Sequence, residues 1–129
     1  MAKNIVNKLL HTRMRVSDLD KTVNFYKDVL GLEEAKRSTS PRGSQIVFLK
    51  VPESEELIEI TYFPNSGPVE VQEDLMHLAF SVNSMSEFET HIKSHGIEFS
   101  DGPTISSSSG THFAFIDAPE GYEIEIIEK

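Results

Sequence analysis

The spacing of apolar residues changes period twice along this chain, then repeats the whole sequence of changes. In "KLLHTRMRV", Leu10, Thr12, Met14 and Val16 alternate with Leu9, His11, Arg13 and Arg15, as in a strand with two unlike faces. In "SDLDKTVNFYKDVLG" the period lengthens: Leu19, Val23, Tyr26 and Leu30 recur at helical spacing. Ser17 or Asp18 can cap that helix, and Gly31 stands where it should stop. "SQIVFLKV" and "ELIEITYF" then read as strands, joined by the short polar link "PESE". After "PNSGPVEVQED", a loop by its Pro, Gly and Asn content, the series starts again. "LMHLAFSV" is strand-like, and "SMSEFETHIKSHG" is helical, with Met85, Phe88 and Ile92 on one face. Ser84 and Glu87 have capping-box spacing there, and Gly96 ends the run. "SDGPTISSSSG" reads as loop, and "THFAFID" and "YEIEIIE" as two strands around an "APEG" turn. The order is β-α-β-β twice, an internal duplication in pattern.

The duplication places polar residues in register. His77 follows His11 by 66 residues (77 − 11), and Glu125 follows Glu59 by the same 66 (125 − 59). Each of these four sits on a strand whose other face is the more apolar: Met14 and Val16, Ile58 and Ile60, Leu78 and Phe80, Ile124 and Ile126. Those faces are expected to carry the helices, because a βαββ unit packs its helix on one side of its sheet. The His/Glu face also bears Leu57, Leu75, Ala79 and Ile127, a pattern of a lined cavity rather than a solvated surface. Glu123 has Leu57 as its counterpart and reads as a wet strand edge. Two imidazoles and two carboxylates on one such face suit a borderline divalent ion such as Ni²⁺, Co²⁺ or Zn²⁺.

Composition narrows the field. The 129 residues match one ordinary domain, here built of two repeats at roughly 8–63 and 74–128. With 12 Lys+Arg against 21 Asp+Glu, the formal charge of -9 repels nucleic acid and anionic membranes as partners. The absence of cysteine excludes disulfides, thiolate metal sites and a cysteine nucleophile. "MAKNIVNKLL" has no apolar core of signal-peptide length and no span approaches membrane length, so a cytoplasmic location is expected.

"LLHTRMRVSDLDKTVNFYKDVLGLE" closely resembles the opening of the glyoxalase I family, within the vicinal oxygen chelate superfamily, and "IEITY", "HLAFSV" and "APEGYEIEIIE" resemble its other landmark segments. The resemblance implies an α+β fold of tandem βαβββ/βαββ-type repeats, forming a curved, half-barrel mixed sheet with helices on the outer face. It implies His11, Glu59, His77 and Glu125 as ligands of one divalent metal, with Ni or Co favoured in short chains such as this and Zn open. It also implies a homodimer whose ions take ligands from both subunits. The implied reaction isomerises the hemithioacetal of methylglyoxal and glutathione to S-lactoylglutathione through an enediolate stabilised by the metal. Glu125 is the implied base and Glu59 its counterpart toward the opposite face of the substrate. Arg15 is the implied partner of a glutathione carboxylate.

The thiol end departs from the family pattern. Phe63 stands where an asparagine is common, and residues 104–110, "TISSSSG", carry no positive charge. Another vicinal oxygen chelate enzyme, such as an acyl-thioester epimerase, is therefore an alternative, as is a non-catalytic small-molecule binder. The other histidines have simpler readings: His91 and His95 solvated on the second helix or its end, and His112 at a strand-start surface position, with the rim of the cavity as its alternative. Phe113 and Phe115 are expected near the cavity.

Overall fold

A computed structural model describes residues 4–129; positions 1–3, the start of the segment read above for a leader, lie outside them. The chain divides into two compact units, Met1–Val69 and Glu70–Lys129. In the first unit, β1 (His11–Arg15) leads to α1 (Leu19–Asp28), then β2 (Glu33–Thr39), β3 (Gln45–Lys50) and β4 (Leu57–Tyr62). The sheet order is β1-β4-β3-β2, with β1 parallel to β4 and the other pairs antiparallel. The second unit repeats this plan with β5 (His77–Val82), α2 (Met85–Ser94), β6 (Asp101–Ile105), β7 (His112–Asp117) and β8 (Glu123–Glu128). Its order is β5-β8-β7-β6, again with one parallel pair, β5 and β8. A parallel pair needs a long crossover, and the helix lies within it.

Each unit is thus βαβββ, with one more strand than the pattern of apolar residues reveals in either half. Both additional strands, β2 and β6, lie at a sheet edge. "EEAKRST" in β2 has too many charged side chains to show strand alternation, and an edge tolerates them. "DGPTI" in β6 contains Gly and Pro, which are confined to edges and bulges, and the β6–β7 register does shift between Asp101 and Thr104. Gly102 is required there: at φ +80°, an added Cβ would lie 3.0 Å from the Phe113 carbonyl oxygen.

The helix ends follow the sequence. Asp18, rather than Ser17, caps α1 by accepting from the Lys21 N–H at 3.1 Å, while Ser17 Oγ accepts from Val69 N–H. Gly31, at φ +74°, lets the Leu32 N–H reach back to the Tyr26 carbonyl at 3.1 Å. Ser84 Oγ caps α2 through the Glu87 N–H at 3.1 Å.

One face of each sheet forms the core. In the first unit Met14, Val16, Val47, Leu49, Ile58 and Ile60 are buried, together with Leu19, Val23 and Tyr26 of α1. In the second, Ala114, Ile116, Ile124 and Ile126 are buried with Met85 and Ile92 of α2. Leu78 and Phe80 on β5 are only half-buried, less enclosed than their alternation predicts.

Candidate metal and catalytic site

The opposite sheet faces hold the polar residues. Parallel pairing sets His11 beside Leu57, which leaves Glu59 two residues further along the neighbouring strand and on the same face. His11 Nε2 lies 3.3 Å from Glu59 Oε1. In the second unit His77 pairs with Glu123, Glu125 lies two residues on, and His77 Nε2 is 3.2 Å from Glu125 Oε1. The rings behind them repeat as well. Phe48, paired with Glu59, meets His11 edge-on at 5.5 Å, and Phe115, paired with Glu125, meets His77 edge-on at 5.6 Å.

These spacings suit a shared cation. Ligand atoms bonded at about 2.1 Å to one ion are about 3.0 Å apart at a right angle and about 3.4 Å apart at the tetrahedral angle. Both observed separations, 3.3 Å and 3.2 Å, fall within that interval. Imidazole nitrogen with carboxylate oxygen is also a donor set that Ni²⁺, Co²⁺ and Zn²⁺ accept. Each unit brings two such donors; no group of three or more His, Cys, Asp or Glu placed to hold a metal occurs among the described residues.

The surroundings of the two glutamates differ. Glu59 is 7% exposed, and its Oε2 accepts from Thr61 Oγ1 at 2.5 Å and faces Arg13 Nε at 3.2 Å. Arg13 Nε also donates to Thr61 Oγ1 at 3.2 Å, so the three side chains close a ring. At the matching positions the second unit has Ala79 (79 − 13 = 66) and Ile127 (127 − 61 = 66). Glu125 is half-buried, and its carboxylate meets His77 through Oε1. His77 is flanked on its other nitrogen: Nδ1 lies 3.5 Å from Glu123 Oε1. The wet-edge reading of Glu123 is thereby corrected, since its carboxylate joins the His77 cluster.

Arg15 Nη1 donates to the Gly67 carbonyl at 2.9 Å, at the start of the loop after β4. Phe63 is half-buried and precedes a single 3₁₀ turn, Pro64–Ser66. The serine-rich stretch is the turn of the β6–β7 hairpin. Its ends are tied by the Ser106 N–H to the Thr111 carbonyl, and Ser109 Oγ donates to Thr111 Oγ1, each bond being shorter than 3 Å, 2.8 and 2.9 Å.

The remaining aromatic residues separate by face. Phe113 and Phe115, 6.1 Å apart edge-to-face, share the Glu125 face of the sheet. His112 pairs with Glu128 on the helix-bearing face and sits 3.4 Å from its Oε1, away from the His77 cluster. Glu128 Oε2 accepts from the Met85 N–H at 2.7 Å, at the start of α2. That backbone bond, and secondarily His112, holds the Glu128 carboxyl below the usual glutamate range. His91 on α2 and His95 at its C-cap are exposed, with ring centroids 4.9 Å apart.

Residues 8–126 match the profile of the Glyoxalase/Bleomycin resistance protein/Dioxygenase superfamily. The lactoylglutathione lyase of Escherichia coli O157:H7 is 35% identical over 127 residues, covering 95% of this chain and 93% of the relative. Among solved structures, glyoxalase I from Zea mays superposes with a TM-score of 0.80 at 28% identity, covering 95% of this chain and 44% of that one. The trypanothione-dependent glyoxalase I of Leishmania major gives a TM-score of 0.76 at 29% identity, covering 95% and 87%. The chain belongs to the Glyoxalase/Bleomycin resistance protein/Dioxygenase superfamily, as an enzyme of the lactoylglutathione lyase-like type.

Proposed function

We propose that this enzyme converts the hemithioacetal of methylglyoxal and glutathione to S-lactoylglutathione, using one divalent ion per site held by His11, Glu59, His77 and Glu125. The observation that carries this reading is the repeated Nε2-to-Oε1 spacing, 3.3 Å in one unit and 3.2 Å in the other, at matching positions of a duplicated fold. The two repeats, roughly 8–63 and 74–128, work as one catalytic domain. The active form is a homodimer in which each ion takes ligands from both subunits. Exposed Leu9, Leu10 and Leu75 support association, since such apolar side chains favour burial against a partner. Nickel or cobalt is the favoured metal and zinc the next. A cytoplasmic location goes with glutathione as co-substrate.

His11, Glu59, His77 and Glu125 would hold the divalent ion, which would supply Lewis acidity to the reaction. Glu125 takes the proton from the carbon that bears sulfur and returns it to the adjacent carbon, so the isomerisation is redox-neutral overall. Phe48 and Phe115, edge-on to the two histidines, limit the orientations open to each imidazole. Arg15, whose guanidinium sits at the Gly67 carbonyl, takes a carboxylate of the thiol.

A second reading is favoured by one observation. The 106–111 turn has no cation and ties several of its hydroxyls to one another, which suits a thiol without a terminal carboxylate or an acyl-thioester. Metal-free protein reloaded separately with Ni²⁺, Co²⁺ and Zn²⁺ separates the two. Production of S-lactoylglutathione from methylglyoxal and glutathione is expected with at least one ion. Metal binding without that product, together with exchange of the α-proton of a 2-substituted acyl-thioester, would establish the second reading instead.

A further inference from the structure

The two glutamates occupy equivalent places in the duplicated fold but are held differently. Glu59 Oε1 faces His11, while its other oxygen, Oε2, is taken by Thr61 Oγ1 and Arg13 Nε. Thr61 is fully buried, which fixes the position of its hydroxyl, and the Arg13–Thr61 bond completes the ring. A glutamate side chain free to rotate must lose that freedom on binding a ligand; one already clamped has lost it on folding. The Glu59 carboxylate is therefore pre-oriented, with a single oxygen left for another partner. Glu125 has Ala79 and Ile127 where Glu59 has Arg13 and Thr61, so the two groups that clamp the second oxygen of Glu59 have no counterpart there.

We propose that Arg13 is a positioning residue that divides the work of the two glutamates. Through Oε2 it would pre-orient Glu59 as a metal ligand, while Glu125, without counterparts of Arg13 and Thr61, keeps its side-chain freedom. The inference rests on the metal-dependent reading above and assigns Arg13 a role through Glu59, not through contact with substrate. Arg13 is half-exposed at its side chain, so replacing it does not open the core.

Affinity in the Arg13→Met variant alone is ambiguous, because removing a cation beside a cation site strengthens attraction for the ion while loosening Glu59 weakens its hold. The coupling between Arg13 and Glu59 is unambiguous. Co²⁺ dissociation constants are to be measured by competition with a chromophoric chelator for wild type, Glu59→Gln, Arg13→Met and the double variant, with melting temperatures recorded alongside. Glu59→Gln is expected to weaken Co²⁺ binding about tenfold more with Arg13 present than in the Arg13→Met background, the scale typical of groups that orient ligands. Arg13→Lys, which keeps a charged donor, is expected to recover part of that difference. An equal Glu59→Gln penalty in both backgrounds would overturn the role of Arg13 while leaving the metal reading intact. A wild-type chain that holds no Co²⁺ would overturn both.

Discussion

His77 Nδ1 lies 3.5 Å from Glu123 Oε1 while Nε2 of the same ring lies 3.2 Å from Glu125 Oε1. One imidazole is thus flanked by two carboxylates that stand two residues apart on β8. A histidine ligand is oriented by the group that meets its other nitrogen. Glu123→Gln is expected to weaken metal binding by about 10–100-fold, with the melting temperature little changed. Titration of the metal-free variant with Ni²⁺ measures it; wild-type affinity would return Glu123 to the status of a surface residue.

Thr61 contributes stability as well as position. Thr61→Val keeps the shape of the side chain and removes the hydroxyl that Glu59 accepts from, inside a buried setting. With Arg13 still facing the same oxygen, the loss should be about 1–2 kcal/mol, the lower part of the range for a buried acceptor that loses one partner. Urea denaturation of the two proteins gives the value directly, and no change in midpoint would show that the bond carries no net stability.

Much of this was legible in the residues themselves, and the reasons differ by element. Strands with one buried face, such as β4 and β8, announce themselves, because Ile58/Ile60 and Ile124/Ile126 must alternate to reach the core. Both helices are marked by caps and stop glycines, local chemistry that needs no tertiary context. The edge strands β2 and β6 bury little, so no hydrophobic period records them. At the site, the 66-residue offset singles out His11, Glu59, His77 and Glu125, and the structure brings them together as two pairs. Arg13, Thr61 and Glu123 carry a weaker signal: each is two residues from one of those four, hence on the same strand face. Their contacts depend on the β1–β4 and β5–β8 registers, which alternation alone leaves open.

Sites shared between subunits have a genetic signature. One chain carrying His11→Ala with Glu59→Gln and another carrying His77→Ala with Glu125→Gln should each be inactive as homodimers. Co-expressed, they should recover about a quarter of wild-type activity per chain, since half of randomly assorted dimers are mixed and each mixed dimer has one intact site. Purification by two different tags isolates the mixed dimer for assay. Inactive mixed dimers would contradict sharing of ligands across the interface.

Glu128 ties α2 to β8 and makes stability pH-dependent on the acid side. Its carboxyl titrates below the usual glutamate range in the folded chain, mainly through the Met85 N–H bond. A depressed carboxyl binds fewer protons folded than unfolded, so its contribution is complete above the unfolded pKa. The contribution fades as pH falls from there through the lower folded value. Melting temperatures of Glu128→Gln should therefore fall less steeply on acidification than those of wild type. Parallel curves for the two proteins would rule out this linkage.

The central claim is that Glu125 moves the proton at a metal-dependent site, and the most direct measurement is S-lactoylglutathione formation by Ni²⁺-loaded Glu125→Gln. Metal content is determined on the same sample. With the ion retained, the account predicts a fall of about 10²–10⁴-fold in turnover, the usual contribution of a positioned general base. Turnover within a few-fold of wild type in that metal-loaded variant would contradict it.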